Sequence, residues 1–333
     1  MHAKFIEHAL TAASCYINVI IEMELFMGIV VMGAVFVDIK GFPEDIYIPD
    51  GRNVGHVEYI HGGVSRNVVE DIANIELRPT FVGIVDDSAL GEDVVKKLKN
   101  HKVNTDYVMT MPGGMGTWLA VFDHNGDLAG SISQRPNLMP ILGLLEEKGD
   151  EIFANADSVI VEVDMDKDII KKVVALAKQY NKKLYGVVSN MSIAVERRDF
   201  LKHFDCFICN QLEAGMLFME DYADKSPEEL RDILSKRVIL GKIPAMIVTM
   251  GGNGAVYADV NGEKGICPPQ RVRVKDTTGA GDAFCAGVAS GLTYGKTLSE
   301  AVEIGSRLAA SVITSSENVC PRFLPEEFGI TLD

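Results

Sequence analysis

Short apolar runs rich in Val and Ile recur along the chain, and most are separated by segments with apolar residues at helical spacing. These runs predict strands buried on both faces, and they cover residues 27–37, 80–85, 158–163, 183–188, 206–209 and 245–250. Helical periodicity covers residues 90–99, 166–180 and 227–237. Strands that alternate with helices specify an α/β fold, in which a mostly parallel sheet carries helices on both faces.

Two segments interrupt this alternation. Residues 41–60 are extended and polar with two prolines, and residues 117–133 alternate apolar and polar positions about an Asn-Gly pair at 125–126. Asn-Gly between alternating runs is a strong hairpin signal. The two inserts, about 41–61 and 109–136, therefore predict a small antiparallel β lid over the carboxyl edge of the parallel sheet, where ligands of such folds bind.

The most hydrophobic stretch, residues 9–37, does not have the pattern of a membrane span or a secretory leader. Glu22 and Glu24 interrupt it, and no basic segment precedes it. We interpret residues 1–26 as a helical N-terminal extension ahead of one domain over 27–333. A start codon assigned upstream of a true start at Met27 is an equally good explanation.

Composition and charge narrow the function. The chain has 333 residues, enough for one large α/β domain with an appended subdomain or for two ordinary domains. A net charge of -15 disfavours binding to nucleic acid or to anionic membranes. Six cysteines lack the density of a secreted disulfide framework and indicate a cytoplasmic protein. Cys206 and Cys209 lie in a predicted strand and point to opposite faces, which favours a structural role.

Residues 276–282 read Asp-Thr-Thr-Gly-Ala-Gly-Asp and lead into a helical run of small residues. Small residues at a helix start leave backbone N–H groups uncovered, and the helix dipole adds positive potential, so this turn suits an anion. The Asp282 carboxylate in the first turn could take a proton from an attacking hydroxyl. Taken on the glycines alone, close helix packing with Asp282 as a helix cap is the better explanation.

The full string resembles the C-terminal signature of the PfkB or ribokinase-like carbohydrate kinases, Asp-Thr-x-Gly-Ala-Gly-Asp. This resemblance implies a ribokinase-like fold and an ATP-dependent kinase that phosphorylates a hydroxyl of a sugar or nucleoside. It further implies that Asp282 is the catalytic base and that Gly279, Ala280 and Gly281 form the anion hole.

Further landmarks of this family occur in order, and together they cover residues 27–328. Residues 33–38 resemble the first strand, ending in the aspartate that binds substrate hydroxyls, here Asp38. Gly62 and Gly63 resemble the N-terminal glycine pair, with Asn67 as the family's hydrogen-bonding asparagine. The resemblance implies that these four residues bind the substrate.

The second half carries the segments that the resemblance assigns to nucleotide and metal. Residues 210–213 match the Asn-x-x-Glu motif, which implies Mg²⁺ held through water at Glu213, and residues 249–254 resemble Thr-x-Gly-x-x-Gly. Asp276 is implied as a candidate contact for a monovalent cation such as K⁺. Ser189 and Asn190 stand where many relatives carry Asp-Pro. The implied nucleotide-binding residues are Asn210, Thr249, Gly251, Gly254 and Thr278.

Rival classes fit less well. The chain has no P-loop string, and no Gly-x-Gly-x-x-Gly follows the first predicted strand. A non-catalytic sugar or nucleoside sensor on the same fold stays open, although retention of Asp282 favours an enzyme.

The substrate also stays open at this level. Residues 62–67, Gly-Gly-Val-Ser-Arg-Asn, and the hairpin over 117–132 resemble pseudouridine kinases, which implies a 5'-hydroxyl of a C-nucleoside. Ribose, fructose-type sugars and ordinary nucleosides are the alternatives. Exposed lid strands commonly pair across a dimer, so a homodimer through the lid is a further hypothesis.

Overall fold

The computed structural model describes residues 28–331 and places their strands in two separate sheets. The predicted extension over residues 1–26 lies outside the described residues. The strands of the described chain are β1 Gly28–Met32, β2 Phe36–Pro43, β3 Gly55–Gly62, β4 Thr80–Val85, β5 Asn104–Thr110, β6 Gly116–Phe122, β7 Leu128–Gln134, β8 Ala156–Glu162, β9 Lys183–Val187, β10 Cys206–Asn210, β11 Ala245–Thr249, β12 Ala255–Asp259 and β13 Lys264–Cys267.

The α-helices of the described chain lie mostly between these strands. No helix over residues 28–331 is long and apolar enough to cross a bilayer. The helices are α1 Val64–Asn74, α2 Ala89–Asn100, α3 Pro140–Asn155, α4 Lys167–Gln179, α5 Met191–Ala194, α6 Gln211–Phe218, α7 Pro227–Gly241, α8 Ala280–Thr293 and α9 Leu298–Ile313.

The larger sheet has nine strands in the order β13-β12-β11-β10-β9-β8-β1-β4-β5. Seven of them, from β11 to β5 in this order, are parallel, and β12 pairs with both of its neighbours antiparallel. The predicted α/β fold is confirmed. Because all parallel strands end at one edge, the residues that follow them converge there.

Helices cover both faces of the larger sheet. On one face α3, α4, α6 and α7 pack against alternate strand residues such as Val30 and Met32. On the other face α1, α2, α8 and α9 pack against the intervening residues such as Ile29 and Val31. This explains why β1 is apolar at every position.

Cys206 and Cys209 show the same alternation, because they belong to the cores on opposite faces of the sheet. Both are buried free thiols. The predicted structural role of the Cys-x-x-Cys pair agrees with this placement.

The smaller sheet, which we call the lid, has the strand order β3-β2-β6-β7. Its outer pairs are antiparallel, but its central pair β2–β6 is parallel. The expectation of a wholly antiparallel lid was therefore wrong. β1 and β5 run in the same direction in the larger sheet, and each continues into the lid after a short connection, so β2 and β6 enter the lid in the same direction.

The boundaries of the lid also differ from the prediction. Within the run predicted over residues 27–37, the described residues form two strands in two sheets, with a break at residues 33–35. Asp38 lies inside β2 and does not end the first strand. Residues 104–110 belong to the larger sheet, so the lid strands cover 36–62 and 116–134. Apolar content continues across the break at 33–35, and the sequence pattern therefore did not show it.

Helices α8 and α9 approach closely through glycine. A Cβ atom on Gly287 of α8 would lie 2.8 Å from the Cα and N atoms of Gly305 in α9. Since α8 begins at the predicted anion-binding turn, this contact fixes the helix that carries Asp282.

Gly287→Ala is expected to destabilise the protein, although alanine is the better helix former. The added methyl group has no space, and overpacking of this kind costs about 1–3 kcal/mol. The matched control is Gly143→Ala in α3, where a Cβ would meet no atom within 4 Å; that change should stabilise by roughly 0.5–1 kcal/mol. Denaturant titration measures both, and equal effects of the two substitutions would contradict the close contact.

Candidate active site

A cleft of about 370 Å³ lies between the inner face of the lid and the carboxyl edge of the larger sheet. Its volume falls in the range of small-molecule sites. Six of the predicted site residues line it, although they are far apart in sequence: Asp38, Gly63, Asn67, Thr278, Gly279 and Asp282. Phe36, Val64, Trp118, Ser133, Arg135, Ser189 and Asn190 complete the wall.

Asp282 lies in the first turn of α8 and is partly open to the cleft. The Nδ2 atom of Asn67 donates a hydrogen bond to Asp282 Oδ2 at 2.6 Å. Asn67 belongs to the first turn of α1, so this bond joins the starts of two helices. One carboxylate oxygen is thus held by the protein.

The Asp282 carboxyl group has a raised pKa of about 7. Burial is the main cause, and Asp38 and Glu213 raise it further through their negative charges. The hydrogen bond from Asn67 and the charge of Arg66 act in the opposite direction. A carboxyl group that titrates near neutral pH is suited to general-base chemistry.

Asp38 faces the cleft from the inner side of the lid, in register with Trp118 of β6. Burial raises its pKa, against the charges of Lys40 and Arg66. A Cβ atom on Gly62 would lie 2.6 Å from Asp38 Oδ1, so Gly62 makes room for this carboxylate. Gly62 itself does not line the cleft, whereas Gly63, with φ 99°, does.

The predicted anion hole forms the start of α8. Gly279 has φ 80°, and a Cβ there would overlap the carbonyl oxygen of Asn318. The N–H of Ala280 donates to the carbonyl of Thr277 at 3.3 Å, a long turn bond. Around Gly281 a Cβ would meet no atom within 4 Å, so this side of the turn is open.

Asn210 and Glu213 form a capping box at the start of α6. Asn210 Oδ1 accepts the N–H of Glu213 at 2.9 Å, and Glu213 Oε2 accepts the N–H of Asn210 at 2.7 Å. Burial, and then the charge of Asp164, raise the pKa of Glu213. The cap uses Oε2, and the second carboxylate oxygen of Glu213 is the one suited to a metal-bound water.

A second cavity of about 630 Å³ adjoins this cap. Three predicted nucleotide residues line it, namely Asn210, Thr249 and Gly251, together with apolar side chains such as Met216. Gly254 does not line it; its φ of 85° and the backbone of residues 267–269 packed against it indicate a turn role. Thr278 lies at the first cleft.

Asp276 is tied into its own loop. Its Oδ1 accepts hydrogen bonds from the backbone N–H and the hydroxyl of Thr278, both at 2.9 Å. Although burial acts to raise its pKa, these donors and Lys40 outweigh burial and lower it. Across residues 28–331 no group of three or more His, Cys, Asp and Glu side chains is arranged to hold a metal ion.

Asp164 and Arg135 are functional candidates that sequence reasoning missed. Asp164 Oδ2 lies 2.9 Å from Arg135 Nη2, and Asp164 Oδ1 accepts the N–H of Ser189 at 2.9 Å. Arg135 follows lid strand β7, so the ion pair joins the lid to the carboxyl edge of the larger sheet. Asp164 follows the run over 158–163, and its position at a strand end was the available signal.

Glu162, the last residue of β8, is a second missed carboxylate. Its Oε1 accepts the N–H groups of Ser65 at 3.0 Å and Ala34 at 3.3 Å. A Cβ on Gly33 would lie 2.6 Å from this oxygen, which explains the glycine there. Burial, together with the charge of Asp164, raises the pKa of Glu162 to about 8.

A parallel-sheet core, a β lid and an aspartate at a glycine-rich helix start define a kinase of small hydroxyl compounds. The family model described as pfkB family carbohydrate kinase matches residues 28–320. Guanosine-inosine kinase of Exiguobacterium acetylicum is 36% identical over 298 residues, covering 87% of this chain and 95% of that protein. Pseudouridine kinase of Escherichia coli is 23% identical, with 86% and 90% covered.

Among solved structures, ribokinase of Arabidopsis thaliana complexed with ribose and ATP is similar with a TM-score of 0.78. The two chains are 19% identical, and the match covers 92% of this chain and 100% of the ribokinase chain, which confirms the ribokinase-like fold. The chain belongs to the pfkB family of carbohydrate kinases and is an ATP-dependent kinase.

Glu162→Gln is expected to weaken the dependence of stability on pH. The folded-state pKa of about 8 lies above that of an unfolded glutamate. Folding therefore favours the protonated group, and this contribution is complete below the unfolded pKa and is lost as pH rises through about 8. Between roughly pH 5 and 8, the free energy of unfolding should fall more steeply for the wild type than for the variant.

Glu147→Gln, which changes an exposed carboxylate of α3, is the control and should keep the wild-type slope. If the free energy of unfolding depends on pH equally for the wild type and Glu162→Gln, Glu162 is ionised in the folded protein at neutral pH. That result would contradict the effect assigned to its burial.

Proposed function

We propose that the protein transfers the γ-phosphoryl group of ATP to a primary 5'-type hydroxyl of a nucleoside, with Asp282 as the general base. One observation carries the proposal: the Asp282 carboxylate, held by Asn67, opens into the lid-covered cleft at the start of α8. The general base and the phosphate-binding N–H groups would then lie on the same turn of backbone.

In the proposed reaction Asp38 and Asn67 bind the substrate hydroxyls. Asp282 takes the proton of the acceptor hydroxyl, whose oxygen forms a bond to the γ-phosphorus as the bond to the β-phosphate oxygen of ATP breaks. The N–H groups of Gly279, Ala280 and Gly281 and the dipole of α8 would stabilise the negative charge of the transferred group. The products are ADP and the phosphate monoester.

We place ATP along the C-terminal half of the protein. The apolar part of the 630 Å³ cavity beside Thr249 and Gly251 supports a position for the adenine near that loop. Mg²⁺ would be held by the phosphates and, through water, by Glu213, and it would offset phosphate charge. Asp276 is proposed as a contact for K⁺, which potassium-independent activity would contradict.

Guanosine and inosine are the first substrates to test, because the relative at 36% identity is named for them. Pseudouridine is the second, on the resemblance of residues 62–67 and on the relative at 23% identity. Phe36 and Trp118 give the cleft an aromatic wall, which is suited to contact the flat face of a nucleobase. Release of ADP from ATP and Mg²⁺ with a panel of nucleosides and sugars is the direct screen.

Asp282→Asn should lower kcat by ~10²–10⁴-fold, because the amide is nearly isosteric with the carboxylate but cannot accept the proton. ATP binding and the thermal unfolding midpoint should stay close to wild type. With the base titrating near 7, the wild-type kcat should rise with pH through that value and then level off. Wild-type turnover by Asp282→Asn would show that another group is the base.

Asp38→Ala should act on substrate affinity, since its predicted contacts are to substrate hydroxyls. The apparent KM for the nucleoside should rise while the KM for ATP stays near wild type. If the wild type released no ADP with any compound in the panel, and neither Asp38→Ala nor Asp282→Asn differed from it, the non-catalytic sensor would become the better account.

We also propose a homodimer through the lid in the cytoplasm. The outer face of the lid exposes Tyr59, Leu119 and Ile132, which lie in one row across β3, β6 and β7. Ile132 is 70% exposed, and neighbouring exposed apolar side chains of this kind mark interaction sites. The buried free cysteines support a reducing compartment.

Ile132→Glu should reduce the mass measured by light scattering from that of a dimer to that of a monomer, because it places a charge in the apolar row. Val260→Glu, at an apolar residue that directly follows β12 and is 39% exposed, is the control. A monomeric wild type would overturn this part of the proposal.

A further inference from the structure

Arg66 is the largest fully buried side chain of the described residues, with 1% of its side chain exposed. Its Nη1 pairs with Glu70 Oε2 at 2.5 Å, one turn further along α1. Its Nη2 donates to the side-chain oxygen of Asn67 and to the carbonyl of His61. A guanidinium held in this way presents its donors in one fixed plane.

The contacts of Asn67 determine which way its amide group points. A second donor, Asn318 Nδ2, lies 3.2 Å from Asn67 Oδ1. Two N–H groups therefore point at Oδ1, and the opposite end of the amide must be Nδ2, which donates to Asp282. An amide group without such partners has two orientations of similar shape. Arg66 and Asn318 select one of them.

We propose that Arg66 is a positioning residue for the general base: it holds the Asn67 amide so that Nδ2 donates to one oxygen of Asp282 and leaves the other to the substrate hydroxyl. This inference rests on the proposed function, in which Asp282 is the base. Glu70 anchors the guanidinium, and Lys97 of α2 lies 3.1 Å from Glu70 Oε1. The arrangement thus extends from α2 through α1 to the start of α8.

The amide orientation has an electrostatic consequence. An N–H donor stabilises the carboxylate form of Asp282, whereas a turned amide would present an oxygen to it and oppose ionisation. Loss of the Arg66 charge acts in the same direction, since that charge lowers the pKa of Asp282. The other groups that interact electrostatically with Asp282 are unchanged in the variants below: Asp38 of β2, Asp71 of α1, Glu213 of α6 and Cys285 of α8.

The test is the pH dependence of kcat for the wild type, Arg66→Gln and Arg66→Lys. For Arg66→Gln we expect the acid limb to move up by about one pH unit, so that kcat falls about fivefold at pH 7 and recovers to near wild type by about pH 9. Arg66→Lys keeps a cation but not the planar fork, so its shift should be smaller. Disturbed packing alone would lower kcat by the same factor at every pH.

Arg307→Gln is the matched control, because Arg307 forms an exposed pair with Glu327 away from the cleft, and its profile should equal that of the wild type. If Arg66→Gln does not fold, Asn318→Ala carries the test; it removes one donor to Asn67 Oδ1, leaves the Arg66–Glu70 pair in place, and should also move the acid limb up. If Arg66→Gln folds and the acid limb of its kcat profile lies at the wild-type pH, the inference is overturned. The same result for Asn318→Ala overturns it where Arg66→Gln does not fold.

Failure of the proposed function is read separately. If Asp282→Asn keeps wild-type turnover, the base assignment fails whatever the Arg66 variants do. If Asp282→Asn is inactive and the acid limb of Arg66→Gln is unmoved, the base stands and only the role of Arg66 is wrong.

Discussion

The burial of Asp282 is the constraint on which the rest of the site depends. Removing a carboxyl group from water opposes its ionisation, and burial is the main cause of the raised pKa of Asp282. The Asn67 hydrogen bond and the Arg66 charge offset this penalty, while Asp38 and Glu213 add to it. The resulting pKa of about 7 lies where a base is ionised and still takes up a proton readily.

The larger sheet supplies the geometry that this balance requires. Parallel strands end at one edge, so β8, β10 and β11 bring Glu162, Asn210 and Thr249 to the same side of the molecule. The chain enters the lid directly after β1 and after β5, and the Arg135–Asp164 ion pair connects the lid to the carboxyl edge of the larger sheet.

Sequence patterns predicted most of this fold because buried parallel strands are apolar at every position. The strand β4 was predicted with both ends right, and β8 to β11 within two residues. β5, β12 and β13 were missed, since a half-exposed edge strand such as Asn104–Thr110 and a four-residue strand such as Lys264–Cys267 carry little periodicity. The parallel pairing inside the lid depends on which strands of the larger sheet lead into it, and local patterns do not contain that information.

For the site, the family motifs predicted residues from distant segments, and six of them meet in one cleft. They did not predict Glu162, Asp164, Arg135 or the buried Arg66, because a charged side chain looks alike in sequence whether it is solvated or paired in the core. Gly62 is a similar case. The motif predicted it to contact the substrate, but the space where its side chain would lie is occupied by the Asp38 carboxylate. Partners from distant segments decide these roles.

The central claim is that Asp282 accepts the proton of the attacking hydroxyl. The most direct measurement is a crystal structure of the wild type with guanosine and a non-hydrolysable ATP analogue, or with the substrate that the ADP-release screen identifies. We expect the acceptor oxygen within ~2.6–3.2 Å of a carboxylate oxygen of Asp282, with the γ-phosphate at the start of α8. An acceptor oxygen bound to Asp38 alone, with Asp282 out of reach and the γ-phosphate elsewhere, would contradict the account.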